Sequence, residues 1–174
     1  MKKEVDKLMI TPMQTTIEDV LMALEKVKDP EIDTVSIIDL GMLEQINIQG
    51  SAVHIKILPT FLGCPALEIM RANIIAATQQ VEGVEEVTVD FLQTPPWTTE
   101  RITDKGRQGL KAFGIAPAPK QMEEDGSWHI ECPYCDSTYV TVENIFGPSL
   151  CRSIVYCKSC KNPFEAMKPI SNLM

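Results

Sequence analysis

Histidine is nearly absent from this chain of 174 residues, which holds only His54 and His129. A thiol or hydroxyl nucleophile needs a nearby base, and histidine is the usual one. The shortage argues against a cysteine or serine hydrolase. Basic residues are also few: 16 lysines and arginines face 24 aspartates and glutamates, for a net charge of −8. A nucleic-acid partner needs a basic face to displace counterions, so that class is set aside. No apolar run approaches the roughly 20 residues of a membrane-spanning helix. Lys2 and Lys3 lead into no apolar stretch of the secretory kind. Glycine-rich phosphate loops, a dinucleotide fingerprint and a Ser-His-Asp order are missing as well. The expectation is a cytoplasmic protein with neither a membrane nor a nucleic-acid partner.

Cysteine is what the chain does have. Six cysteines without an export signal point to a reducing compartment, where paired C-x2-C turns bind metal rather than close disulfides. Cys132-Pro133-Tyr134-Cys135 is answered, after 21 intervening residues, by Cys157-Lys158-Ser159-Cys160. Each turn points two sulfurs at one place, and two facing turns make the sulfur tetrahedron that Zn2+ prefers. Four protein ligands close the coordination shell, so the site reads as structural. Iron in the cage, for electron transfer, is the alternative metal. The tail is too short to bury a sufficient core alone, and a metal stands in for one.

The rest of the chain has regular patterning. Thr16-Ile17-Glu18-Asp19 reads as a capping box, followed at helical spacing by Ile17, Val20, Leu21, Leu24 and Val27. Asp29-Pro30 would end that helix, because the residue before proline is pushed out of the helical region. Residues 42–48 and 52–58 read as a hairpin turning at Gln49-Gly50-Ser51. Pro65 is placed at the first position of a second helix, which Gly83 stops, and 84–91 make a third strand. Residues 98–113 hold one more helix, ended by Gly114. The order predicts an α+β fold, a small mixed sheet with helices on one face, plus a C-terminal zinc-ribbon-like β module. Ala116-Pro117-Ala118-Pro119 and the polar run after it read as a linker. The expected units are 1–115, a linker at 116–127, and a metal-binding module at 128–174. Short strands are expected there at 128–131, 139–143, 153–156 and 164–167.

Cys64 lies in Thr60-Phe61-Leu62-Gly63-Cys64-Pro65, a turn directly before the second helix. The partial positive charge of a helix N-terminus lowers a thiol pKa, which suits a metal ligand or a nucleophile. The plainer alternative is a small cysteine packed under the helix. Asp29, Glu31 and Asp39 sit in loops, where carboxylates more often cap turns than bind metal. His129 is a residue of a strand or a fifth candidate ligand. Cys151 is a small core residue or a spare thiol.

Several of these pieces resemble a known family. Asp29-Pro30-Glu31, Ile38-Asp39-Leu40-Gly41, and Pro59-Thr60 through Gly63-Cys64-Pro65 are similar to the iron–sulfur assembly domain family. That family includes the bacterial SufT-like factors and the eukaryotic cytosolic iron–sulfur targeting factors. The match covers roughly residues 15–95. Pro96-Trp97-Thr98-Thr99, Gly114-Ile115-Ala116-Pro117, Cys132-Pro133-Tyr134-Cys135 and Phe146-Gly147-Pro148-Ser149-Leu150-Cys151-Arg152 resemble its PaaD (PaaJ) branch, encoded with the bacterial phenylacetyl-CoA epoxidase. One departure is Asp136, where a tight knuckle usually has glycine.

The resemblance implies an accessory, non-catalytic factor of aerobic phenylacetate degradation. It would mature or deliver an iron–sulfur centre to the phenylacetyl-CoA epoxidase or its reductase subunit. Cys64 would be the cluster-binding residue, with Asp39, Glu31 and Thr60 shaping its loop and a transient iron–sulfur cluster as cargo, shared across a homodimer. Cys132, Cys135, Cys157 and Cys160 would hold structural zinc. The competing reading is a structural docking subunit of the oxygenase that carries no cluster.

Overall fold

The computed structural model of the protein describes residues 15–119 and 129–170. The expected lead-in at 1–14, the stretch 120–127 of the expected linker, Trp128 and residues 171–174 lie outside the described residues.

Helix α1 spans Ile17–Leu24. Thr16 caps it as its sequence predicts: the Asp19 N–H donates to Thr16 Oγ1 at 3.2 Å, and the Thr16 N–H donates to Asp19 Oδ2 at 3.0 Å. The helix stops earlier than Asp29-Pro30 requires. Lys28–Asp29 are drawn into a short strand, β1, that pairs antiparallel with β2, Ile32–Ser36. Strand pairing, not proline, sets the boundary.

The hairpin forms as expected. Strands β3 (Leu43–Gln49) and β4 (Ala52–Ile57) run antiparallel around Gly50. Helix α2, Leu67–Thr78, crosses over to β5, Glu86–Phe91, which pairs parallel with β4. The sheet is therefore mixed, in the order β3-β4-β5. Val53, Ile55 and Ile57 alternate toward the core. Helices α1 and α2 pack on each other, α1 against β3 and α2 against β5. Val20, Leu24, Met70 and Ile74 fill the layer between them and the sheet.

The helix expected at 98–113 is split. Thr99–Arg101 form a 3-10 turn, and Thr103 then caps α3, Asp104–Phe113, by accepting from the Gly106 N–H at 2.9 Å. Gly114 ends it in the left-handed conformation, φ 91°. Helix α3 packs on β2, and Gly106 lies so close to the Asp39 carbonyl that a Cβ would collide with it.

The chain then enters a second sheet. Ile115–Ala116 form β6, which pairs parallel with β9, Pro163–Met167. Between them come β7, Val140–Asn144, and β8, Arg152–Cys157, giving the order β6-β9-β8-β7. Residues 129–131, expected in a strand, have no regular structure. Two cores result. The larger spans both sheets' flanks, including Ile115, Ala118 and Met167. The smaller holds Ile130, Val155 and Phe164 around Cys132 and Cys157.

Candidate functional site

The two C-x2-C turns are built alike. In the first, the Asp136 N–H donates to the Cys132 carbonyl at 2.9 Å and the Cys132 N–H to the Ser137 carbonyl at 3.0 Å. In the second, the Lys161 N–H donates to the Cys157 carbonyl at 2.9 Å and the Cys157 N–H to the Asn162 carbonyl at 3.0 Å. Each turn needs one residue at positive φ, supplied by Asp136 (60°) and Lys161 (64°). The missing glycine after Cys135 is thus answered by an aspartate that itself adopts the left-handed form. Lys111 pairs with the Asp136 carboxylate, so α3 braces this turn.

The four sulfurs lie within 4.8 Å of one another. Cys132 Sγ is 3.6 Å from Cys160 Sγ, and Cys135 Sγ is 3.6 Å from Cys157 Sγ. A zinc tetrahedron with Zn–S near 2.3 Å has sulfur edges of about 3.8 Å. A disulfide needs about 2.05 Å, and all six cysteines are free. The donor set therefore fits a closed four-thiolate metal site. Burial pushes the Cys132 thiol up to about 12, while the Cys160 backbone N–H leads in bringing Cys157 down to about 6. Bound zinc would supply a fixed charge that keeps all four as thiolates and staples the module. His129 is exposed and not one of the four.

Cys64 lies apart from this cage, half-buried. Helix α2 begins at Leu67, so Pro65 is not at its first position. The reason is a tighter turn ahead of it: the Leu67 N–H reaches the Cys64 carbonyl at 3.4 Å. The thiol is also shifted the opposite way from the expectation. Burial raises its pKa, and although the Ala66 N–H points at the sulfur and opposes the rise, the charges of Cys151, Glu31 and Asp29 add to it.

Those neighbours were not grouped by sequence. Glu31 stands in the β1–β2 connection, where its carboxylate accepts from Arg152 Nη2 at 2.7 Å. Arg152, only 5% exposed, also donates to Glu165 Oε2 at 2.6 Å and to Ser149 Oγ at 2.6 Å. Cys151 is half-exposed beside it, not a core residue. Asp29, in β1, accepts from the Glu31 N–H at 2.8 Å, and burial raises its pKa. Thr60 is half-buried in the bend after β4. Asp39 faces elsewhere. Its carboxylate accepts from the Ser36 hydroxyl at 2.7 Å and pairs with Lys105 at 3.4 Å, while its carbonyl holds the Thr103 N–H at 3.0 Å. Burial would raise its pKa, but the Ser36 and Lys105 bonds win and hold it low. Asp39 thus anchors α3. His54, the other histidine, pairs with Asp90 at 2.7 Å on the β4–β5 surface.

No helix of the described residues is long and apolar enough to cross a membrane. The model of the iron-sulfur cluster assembly protein family matches residues 17–90, and that of the PaaD zinc beta ribbon domain matches residues 116–168. A protein of Escherichia coli (strain K12), named as a candidate component of 1,2-phenylacetyl-CoA epoxidase, is 32% identical over 92% of this chain and 96% of its own length. The Fe-S protein maturation auxiliary factor YitW of Bacillus subtilis (strain 168) is 30% identical over 56% of this chain and 93% of its own. A solved conserved hypothetical protein from Thermotoga maritima superposes with a TM-score of 0.50 at 32% identity, covering 56% of this chain and 95% of that one. With an assembly domain followed by a four-cysteine ribbon, and a relative matched along nearly all of both chains, the chain belongs to the PaaD family.

Proposed function

We propose that this protein is an accessory, non-catalytic factor that matures or delivers an iron–sulfur centre to a phenylacetyl-CoA epoxidase or its reductase. In this reading Cys64 holds the cargo, and Cys132, Cys135, Cys157 and Cys160 hold structural zinc. The observation that carries it is the contrast between two thiol environments. The cage is closed, with four sulfurs facing one another. Cys64 is half-exposed, outside that cage, among groups of negative charge.

The direction of the Cys64 shift favours a cation site over a nucleophile. Burial first, and then the negative neighbours, oppose a lone thiolate, so the proton is held on sulfur. The same neighbours attract a metal cation, which replaces that proton. A thiol hydrolase would need the reverse, a base beside the sulfur. Relatives named for a phenylacetyl-CoA epoxidase component and for Fe-S protein maturation support the accessory role.

The test is Cys64→Ser in cells that depend on the epoxidase. Formation of the client's iron–sulfur centre should be lost while the purified variant keeps its zinc. Normal epoxidase activity with that variant overturns the reading.

A docking subunit without cargo is the second reading. It is favoured by Ile145, Phe146 and Leu150, all large apolar residues on the exposed loop before β8. Anaerobic reconstitution separates the two, since only a carrier develops cluster absorption that depends on Cys64.

A further inference from the structure

The cargo site need not rest on one sulfur. The loop 145–151 of the second sheet lies against the Cys64 loop of the first: a Cβ built on Gly63 would stand 3.9 Å from Leu150 Cδ1. The next residue, Cys151, is held in place from both sides. Its carbonyl accepts from the Lys168 N–H at 2.9 Å, and its sulfur is 3.4 Å from Ser149 Oγ. Arg152 then fixes the loop to the first unit through Glu31 at 2.7 Å. Both cysteines are half-exposed. After burial, which leads in raising the Cys64 thiol, the sulfur of Cys151 opposes its ionisation more than Glu31 or Asp29 does.

We propose that Cys64 and Cys151 together form a second metal site, a two-thiolate pair contributed by the two units of one chain, that takes iron as a ferrous ion or as an iron–sulfur cluster. The proposal rests on Cys64 being the cargo position. Two cysteines supply half of the ligands an iron–sulfur cluster usually takes from a protein. The remaining positions stay open to exchangeable ligands, which lets cargo leave. Four thiolates in the ribbon cage hold their ion for good. Asp29 and Glu31, the latter already paired with Arg152, stand around the pair without closing it. Each thiol gives up its proton as it binds a ferrous ion or a cluster already formed elsewhere, so no oxidant or reductant is involved. Because both ligands come from one chain, the site does not require a second copy.

The experiment uses the full zinc-loaded chain without oxygen. Dibromobimane, which fluoresces once it has bridged two thiols, should link Cys64 to Cys151 in the native chain. The link should be absent in Cys64→Ser and in Cys151→Ser. Incubation with ferrous iron alone should then load the native chain without changing its size on a sizing column. Each variant should lose that iron while keeping one zinc per chain. Cys151→Ala is the second variant, and zinc retention reports that it folds. A native chain that gives no bridge, or Cys151 variants that load like the native chain, overturn the pair and leave the single-sulfur reading of Cys64 standing. Full loading by Cys64→Ser overturns that reading as well. Loading that occurs only in a dimer overturns the one-chain site.

Discussion

Lys161 is the least comfortable residue of the metal module. It holds φ 64° in the second cysteine turn, a region that costs a side-chain-bearing residue about 1 kcal/mol. Asp136 does the same in the first turn, but it has the Lys111 ion pair and a residue type that tolerates the conformation. Lys161 is a less tolerant residue type and has no such ion pair among the described residues. Lys161→Gly should therefore stabilise the zinc-loaded protein by up to about 1 kcal/mol. The measurement is the midpoint of urea unfolding, with zinc content unchanged. An unmoved or lower midpoint would show that the lysine makes up for its backbone in another way. At the same scale, the direction of the Cys64 shift could not be read from the order of residues. The turn before a helix is visible in sequence and suggests a lowered thiol. Glu31 and Cys151, which push the other way, lie 33 and 87 positions away from Cys64.

Between elements, the decisive contact is Arg152. Its guanidinium links the β1–β2 connection, strand β9 and the loop before β8. It is buried while its two carboxylate partners are partly in water, so removing it frees groups that can be resolvated. Arg152→Met should then cost about 2 kcal/mol, less than the loss of one member of a fully buried pair. A double-mutant cycle with Glu31→Gln should show coupling. Strictly additive effects would mean that the arginine acts through Glu165, Ser149 and packing rather than through Glu31. How much of this could be read in advance follows the range of the interactions. The Thr16 capping box, the hairpin around Gly50, the Gly114 stop and the paired cysteines are all local patterns. Each depends on residues within a few positions of one another, and each is found in the structure. The early end of α1 and the split before α3 were not legible. The first depends on β1 pairing with β2, and the second on Thr103 being anchored by the distant Asp39 carbonyl. The Glu31–Arg152 clasp joins residues 121 positions apart, and no periodicity announces it.

Across the whole molecule, two cores of unequal size share one boundary. The smaller has few large apolar side chains and is centred on two of the metal-binding cysteines. Metal removal by a chelator should loosen this part first. Hydrogen exchange should speed up at the Cys132, Asp136, Cys157 and Lys161 amides, while those of β4 stay protected by the larger core. Equal loss of protection in β4 would mean that the metal holds the entire protein together as one cooperative unit. The four-cysteine pattern made the metal module legible, but not its attachment. Ile115 reads as the last residue of the first unit and Ala116 as the first of the linker, yet together they are an edge strand whose partner lies far along the chain.

That edge strand carries a consequence for biosynthesis. Ile115 pairs with Glu165, fifty positions later, so a nascent chain leaving the ribosome has no strand partner for β6 until those fifty residues have been made. The first unit can condense early, with its thiol already in place. The arrival of the Arg152 loop must wait until Arg152 has been made, and ion capture by the two cysteine turns until Cys160 has. Only then does the protein acquire its complete set of sulfurs in their final places, so an unfinished polypeptide cannot pass for a working one.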